Sequence, residues 1–494
     1  MIALVLFYAF WRFIKTQKTL LPPGPIRLPF IGTIYKHGLY ISSKQLTEMS
    51  KTYGSIFSIW IGQRQCVVLN GHSVINEAVQ KPIDFGHRGI SGIFTWKILS
   101  VDIRGIFRRD YDATLITLRN KAMASLRSLA IEHKFTDTII AEENQKLLDM
   151  LSNNQETPFN IRNTLEDTLT STMIRLLFGM KLETHDFEEF KRQSNEVYSN
   201  VLFLFALNHL RFLQYIPFLR KLILKVSNAL NNSHRFIQKK SSQSLFHHKQ
   251  FKDDYNTTCF ISLYANRTFK DRIDQAAKCP EMTAMLQDFL IAGPHGLVLT
   301  LEWLIVFLAN RQDIQKKVQD EIHNEIGFEK QATFSDYCNK RLPYLEATLM
   351  ETLRFSSLSP IMVYMSNSTK DVELGGYTIP KQTVVLINNH SVNHSASVQD
   401  HDQFKPERFL DRSNNITDGQ RYFLFGAGKR TCVGEVLARR IVFVFAANIF
   451  QRFTVAVPDG IDRIDETPDE AIIWRPKSFY VKLTRNNGGL SSSC

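Results

Sequence analysis

Six cysteines are scattered along the chain, and one of them stands apart by its surroundings. Cys432 lies in Phe425-Gly426-Ala427-Gly428-Lys429-Arg430-Thr431-Cys432-Val433-Gly434, with an arginine two residues before it and the apolar run Val436 to Phe450 after it. Backbone N–H groups freed by the glycines, the positive end of a helix over that run and a nearby cation all favour a charged sulfur. A buried structural cysteine beside a chance turn is the plain alternative. A second constellation is Glu351-Thr352-Leu353-Arg354, which puts an acid and an arginine three residues apart on one helix face. On a surface such a pair is worth little. Here it sits in the apolar helix Leu345 to Leu353, so it must be largely buried and needs a further partner, which Arg408 of Pro406-Glu407-Arg408-Phe409 can supply. Gly426-x-Gly428 is not a dinucleotide fingerprint, because no βαβ unit or later acid accompanies it.

The elements that must position these groups are mostly helical. Ile314, Val318, Ile322 and Ile326 recur every four residues, giving one buried stripe. Met285 to Leu308 is apolar almost all round and is expected to cross the interior; Asp288, His295 and Glu302 argue against a membrane span. Strand character appears over Phe57 to Leu69 and Val384 to Ile387, and Gly375-Gly376 between Val372–Leu374 and Tyr377–Ile379 predicts a hairpin. Val201 to Leu224, rich in Phe and Leu with interspersed arginine and lysine, reads either as an ordinary helix pair or as a lid that dips into lipid.

With 494 residues, 44% apolar and 36 of them phenylalanine, the chain has the material for one large core and an apolar cavity within it. No linker, repeat or low-complexity block divides it, so residues 19–485 are expected to form one domain and 486–494 a disordered tail. The absence of paired cysteine spacing fits a reducing compartment. A net charge of +12 favours an acidic partner or an anionic membrane; no basic block interleaved with stacking aromatics points to nucleic acid. Residues 1–18 hold an apolar run, Ile2 to Trp11, followed by Arg12, Lys15 and Lys18. It is about half the ~20 residues of a full span, and no cleavage site follows. Leu21-Pro22-Pro23-Gly24-Pro25 then reads as a stiff spacer.

The cysteine loop, the acid–arginine helix and Pro-Glu-Arg-Phe, in this order, resemble the cytochrome P450 family, most closely its microsomal branch. The resemblance implies a mainly α fold with a small β-rich lobe and haem b as cofactor. Cys432 would be the axial ligand of the haem iron and Arg430 would meet a propionate, with Phe425, Gly426 and Gly428 shaping the loop. Glu351, Arg354 and Arg408 match the family's structural triad. Arg119 matches the arginine of a helix that meets a propionate, although Leu115 stands where that helix normally carries tryptophan. Phe289, Ala292, Ile361, Met362 and Val363 fall where the family lines its substrate pocket. Residues 1–18 become a short endoplasmic-reticulum anchor with the body facing the cytosol. No NADPH or flavin site is found, so electrons are expected from NADPH–cytochrome P450 reductase, with cytochrome b5 as a further donor. Lys429, Arg439 and Arg440 would meet the acidic face of that reductase.

The central helix departs from the family. Its acid–alcohol pair is replaced, the chain reading Ala292-Gly293-Pro294-His295-Gly296, and Pro294 is expected to kink or open the helix. Three readings stay open. His295 replaces the proton relay of a monooxygenase acting on a steroid, fatty acid, terpenoid or foreign lipophile, with a bland histidine in the kink as its plain alternative. Substrate hydroxyls or water serve instead. Or the enzyme is a haem-thiolate isomerase or dehydratase that does not use dioxygen. A haem protein that binds lipophiles without turnover remains beyond these.

Overall fold

In a computed structural model, the described residues are 20–486 except 39–40, 63, 89–104, 108, 132–133, 155–156, 200–216, 251–258, 270–271, 273–274, 277, 367–368, 418–421 and 471–472. The proposed anchor, most of the Val201–Leu224 segment and the tail after Asn486 lie outside them. Among them, helix dominates. The longer helices are α1 (Ala113–Ile131), α2 (Lys134–Ser152), α3 (Arg162–Phe178), α4 (Thr184–Ser199), α5 (Pro217–Gln250), α6 (Pro280–Ala309), α7 (Gln312–Glu325), α8 (Pro343–Ser356) and α9 (Glu435–Arg452).

Helix α6 is the axis of the body. Its composition would let it cross a membrane, yet most of it is buried in protein, between α3, α5, α8 and α9. Removing so continuous an apolar surface from water needs neighbours on every side, and burial of each large side chain contributes about 1.5–3 kcal/mol. Helix α7 shows the expected single stripe: Ile314, Val318 and Ile322 are buried while lysines and acids of the same helix face outward.

The small lobe is a four-stranded sheet ordered β1-β2-β6-β3. β1 (Ile56–Ile61) and β2 (Arg64–Asn70), where strand character was expected, pair as an antiparallel hairpin. β3 (Ile361–Met365) and β6 (Val384–Asn388) complete it, β6 running parallel to β2 from Cys66↔Val384 to Asn70↔Asn388. All five residues of β6 are buried, as an inner strand with covered faces requires. The glycine-turn hairpin is present as β4 (Val372–Leu374) and β5 (Tyr377–Ile379), with Gly375 and Gly376 both at positive φ.

Candidate active site

The cysteine loop is a wound approach to α9. A short 3-10 turn, Gly428–Arg430, precedes Cys432, whose backbone N–H donates to the Phe425 carbonyl at 2.8 Å and closes the loop. Two glycines are required by geometry. At Gly428 (φ 63°) an added Cβ would stand 2.3 Å from the Val79 carbonyl oxygen, while at Gly426 the demand comes from the φ of 80° alone, since a Cβ there would make ordinary contact with Met362.

Cys432 is solvent-accessible, although protein crowds it closely enough for burial to dominate its pKa. Both hold when a sulfur has one open side among packed neighbours. Burial pushes the thiol above its ordinary range. The N–H groups of Gly434 and Glu435 pull the other way, as the sequence suggested, and so does a cation, but it is Arg119 rather than the neighbouring Arg430; together they are outweighed. A thiolate here therefore needs a cation at the sulfur itself, and a metal ion deprotonates a coordinating thiol outright.

Three arginines gather beside the loop. Arg119 of α1 donates to the Thr431 carbonyl at 2.6 Å. Arg430 donates to the carbonyls of Gly86 (2.8 Å), Ile106 (3.3 Å) and Arg109 (2.5 Å). Arg88, which sequence reasoning missed because it sits in an aperiodic stretch, donates to the Val363 carbonyl and lies 4.3 Å over the Tyr364 ring. Burial, then the charge of Arg88, pushes Arg430 down to about 9, and burial lowers Arg119 against the pull of Cys432. The buried Nε of Arg88 has no hydrogen-bond partner among the described residues. Converging cations with an unused donor, beside a sulfur that needs a metal, fit haem, which brings iron and two carboxylates. Cys432 would hold the iron, and Arg88, Arg119 and Arg430 would face the carboxylates.

The triad residues meet. Glu351 takes Arg354 Nε at 2.7 Å and Nη2 at 2.8 Å, Arg408 Nε at 3.1 Å and the Lys405 N–H at 2.7 Å. Arg354 also donates to the carbonyls of Asn393, His401 and Gln403. Arg408 reaches those of Gln399, Asp400 and Gln403. Glu351 and Arg354 are fully buried, and this saturation is what makes buried charge tolerable. The network ties α8 to the segment that leads into the cysteine loop.

The central helix runs without interruption from Pro280 to Ala309 with Pro294 inside it, so the proline does not open it. The Thr300 hydroxyl donates to the Gly296 carbonyl at 2.7 Å, so it is not free for chemistry. One face is open: Ala292 is exposed between buried Leu290 and Pro294, and an added Cβ at Gly296 would touch nothing within 4 Å. Phe289, on that side of the helix, is half-buried with its ring edge-on to Phe260 at 5.3 Å. His295 instead lines a small cavity with Glu166, Lys191 and Arg475, and no residue of the cysteine loop borders it.

The three strand candidates are not brought together. Alternation along β3 sends Ile361 and Val363 against the cluster of Leu46 and Phe57, and Met362 to the opposite face, toward Phe423 and Gly426. Of the basic residues expected to meet a reductase, Lys429 is exposed. Arg440 is buried, donating to the Ala130 carbonyl, and Arg439 is occupied by Glu435 at 3.0 Å and the Phe425 ring. Arg440 is therefore a core residue rather than a docking one.

A thiol loop at a helix mouth, an arginine cluster fit for a dianion and a buried Glu-Arg-Arg network describe a haem-thiolate protein. The family model for cytochrome P450 matches residues 22–483, and the chain belongs to that family of haem b oxidoreductases. Among its relatives is cytochrome P450 1A1 of Chelon auratus, 28% identical over 98% of this chain and 95% of that protein. Steroid 17-alpha-hydroxylase/17,20 lyase of Peromyscus leucopus is 27% identical over 98% and 96%, and cytochrome P450 2U1 of Mus musculus 27% identical over 96% and 93%.

Proposed function

We propose that this enzyme inserts one oxygen atom from dioxygen into a lipophilic small molecule, a steroid, fatty acid, terpenoid or foreign compound. The observation that carries the reading is Cys432: a solvent-accessible sulfur crowded by protein and flanked by arginines, one of which, Arg88, has donor capacity to spare. Haem bound there supplies the redox chemistry, with the thiolate favouring O–O cleavage. The chain supplies the ligand, the charge that holds the group and the walls. Phe289, Ala292 and Met362 are the apolar residues we assign to those walls, and they favour an apolar substrate.

Electrons come from NADPH through a separate flavoprotein reductase, with Lys429 among the cations that meet it and cytochrome b5 as a further donor. The enzyme sits on the endoplasmic-reticulum membrane with its body in the cytosol. Support for this comes from the apolar amino terminus together with the exposed Leu20, Ile26, Phe30, Ile31 and Tyr35 that follow it.

A second reading is motivated by Gly296. Open space stands where a hydroxyl is expected, which suits a haem-thiolate isomerase or dehydratase that needs no proton delivery to dioxygen. One experiment separates the two. The protein, with haem, reductase and NADPH, is given a panel of lipophiles under isotopically heavy dioxygen. Heavy oxygen in a product is expected; unlabelled isomers or dehydrated products would put the second reading first, and no product beside a working control would remove both.

A further inference from the structure

Pro294 leaves a specific gap in the bonding of α6. It has no N–H to give the Leu290 carbonyl one turn earlier. Leu290 and Pro294 both line a cavity of about 20 Å³, and the other walls include Glu166 and Thr170 of α3, Lys191, Ser194 and Asn195 of α4, His295 of α6 and Arg475. One water needs roughly 10–15 Å³ measured this way and two to four polar partners. This cavity meets both conditions, for a single water.

Acids and cations alternate around it. Glu302, fully buried, holds Arg162 at 2.7 Å and Arg475 at 3.2 Å; Arg475 also meets Glu166, and Lys191 pairs with Asp167. Glu166, Asp167, Glu188 and Glu302 thus face Arg162, Lys191 and Arg475, and His295 brings an imidazole to the same cavity wall. Glu166 keeps 26% of its side chain in solvent while lining the same cavity as His295, so it spans from outside to inside. One residue beyond His295, Gly296 leaves open space along the helix face that Ala292 also exposes.

We propose that Glu166, one ordered water on the Leu290 carbonyl and His295 form a proton inlet from solvent to the open face of α6 at Ala292 and Gly296, the acid missing beside Pro294 being supplied by α3. The inference rests on the monooxygenase reading. Each passage moves one proton and no electrons. Glu166 takes a proton from solvent and hands it to the water, which gives one of its own to a His295 ring nitrogen. The other ring nitrogen releases its proton toward the gap at Gly296, and a flip of the ring then turns the newly protonated nitrogen toward the gap and presents the free one to the water. Neutral imidazole is the form this shuttle requires. Burial holds His295 there, down to about 4, with Glu166 opposing and Arg475 assisting.

Three measurements on the haem-loaded protein test this. A crystal structure fine enough for ordered water is expected to show one water within ~3.5 Å of the Leu290 carbonyl and of Glu166 or His295. An empty cavity overturns the inlet. Carbon-13 histidine NMR, with the signal assigned through His295→Asn, is expected to show the His295 pKa falling in Glu166→Gln, since a raising charge is removed; an unmoved pKa overturns the contact. Finally, the share of NADPH electrons reaching product is expected to fall at least ~10-fold in Glu166→Gln and in His295→Asn, and no further in the double variant, because the two act in series. Glu166→Asp keeps the carboxyl and retains coupling. Losses that multiply in the double variant overturn the series. Wild-type product free of heavy oxygen sinks the monooxygenase reading alone, because the water and the titration are read without turnover.

Discussion

Replacing Glu351 with glutamine is the sharpest probe of how the site is held. The carboxylate is fully buried and is the single acid between two guanidinium groups, at 2.7 Å from Arg354 and 3.0 Å from Arg408. The variant keeps size and some hydrogen bonding but leaves two positive charges facing each other where solvent cannot reach. Breaking a buried pair by removing one partner costs about 3–5 kcal/mol. A folded protein holds only about 5–15 kcal/mol in total, so the loss is a large fraction of the whole. Urea unfolding of the haem-loaded protein, followed by tryptophan fluorescence, should show the midpoint falling accordingly. The exposed pair Lys316–Asp320 on α7 is the control, and Lys316→Ala should leave the midpoint unchanged. A Glu351→Gln loss below about 1 kcal/mol would refute the argument, because it would mean that water reaches these charges. A variant that keeps its stability but releases haem would refute it differently, placing the triad's effect at the ligand rather than in the fold.

Other outcomes follow from the same geometry. Gly428→Ala should cost about 1–3 kcal/mol and weaken haem uptake, since its φ is positive and its Cβ would strike the Val79 carbonyl; Gly296→Ala, with ordinary φ and open space, should gain ~0.5–1 kcal/mol in the same unfolding assay. Cys432→Ser should lose the thiolate-ligated absorption spectrum while its far-ultraviolet circular dichroism stays unchanged. Burial holds His295 and His390 down to about 4, from an ordinary 6.5. The folded protein then binds fewer protons than the unfolded chain between those values, so this stability is complete above pH 6.5 and is lost as pH falls toward 4. Each contributes about 1–3 kcal/mol, and replacing both by asparagine should flatten that part of the curve of urea midpoint against pH.

What could be read from the chain was what is local in it. The glycines around Gly428, the four-residue stripe of Ile314 to Ile322 and the Gly375-Gly376 turn each carry their geometry within a few residues, and each gave its element. The alternation of β3 was equally local, but the strand was read as a block of pocket residues, so the opposite facing of Met362 and Ile361 was missed. Arg440 was misplaced for a related reason. Charge alone suggested a surface, while its fate depended on the Ala130 carbonyl, 310 residues away in sequence. Arg88, Glu166 and Arg475 carry no pattern of their own; they become meaningful only when α3, α6 and the cysteine loop are packed around them.

The arginine cluster also bears on how the protein is assembled. Arg88, Arg119 and Arg430 repel one another, and in the structure their donors are met chiefly by neutral carbonyls. Neutral acceptors satisfy hydrogen bonds without cancelling charge, so part of the repulsion remains stored in the folded chain. A ligand that brings two carboxylates relieves it at the moment of binding, and whatever binds only the folded form raises its stability by mass action. Cys432 adds to the same coupling, because its thiol stays protonated until a cation arrives. Loading the cofactor therefore changes the charge state of the sulfur and relieves the arginines together. The residues that hold the group are also those whose electrostatics are unfavourable without it.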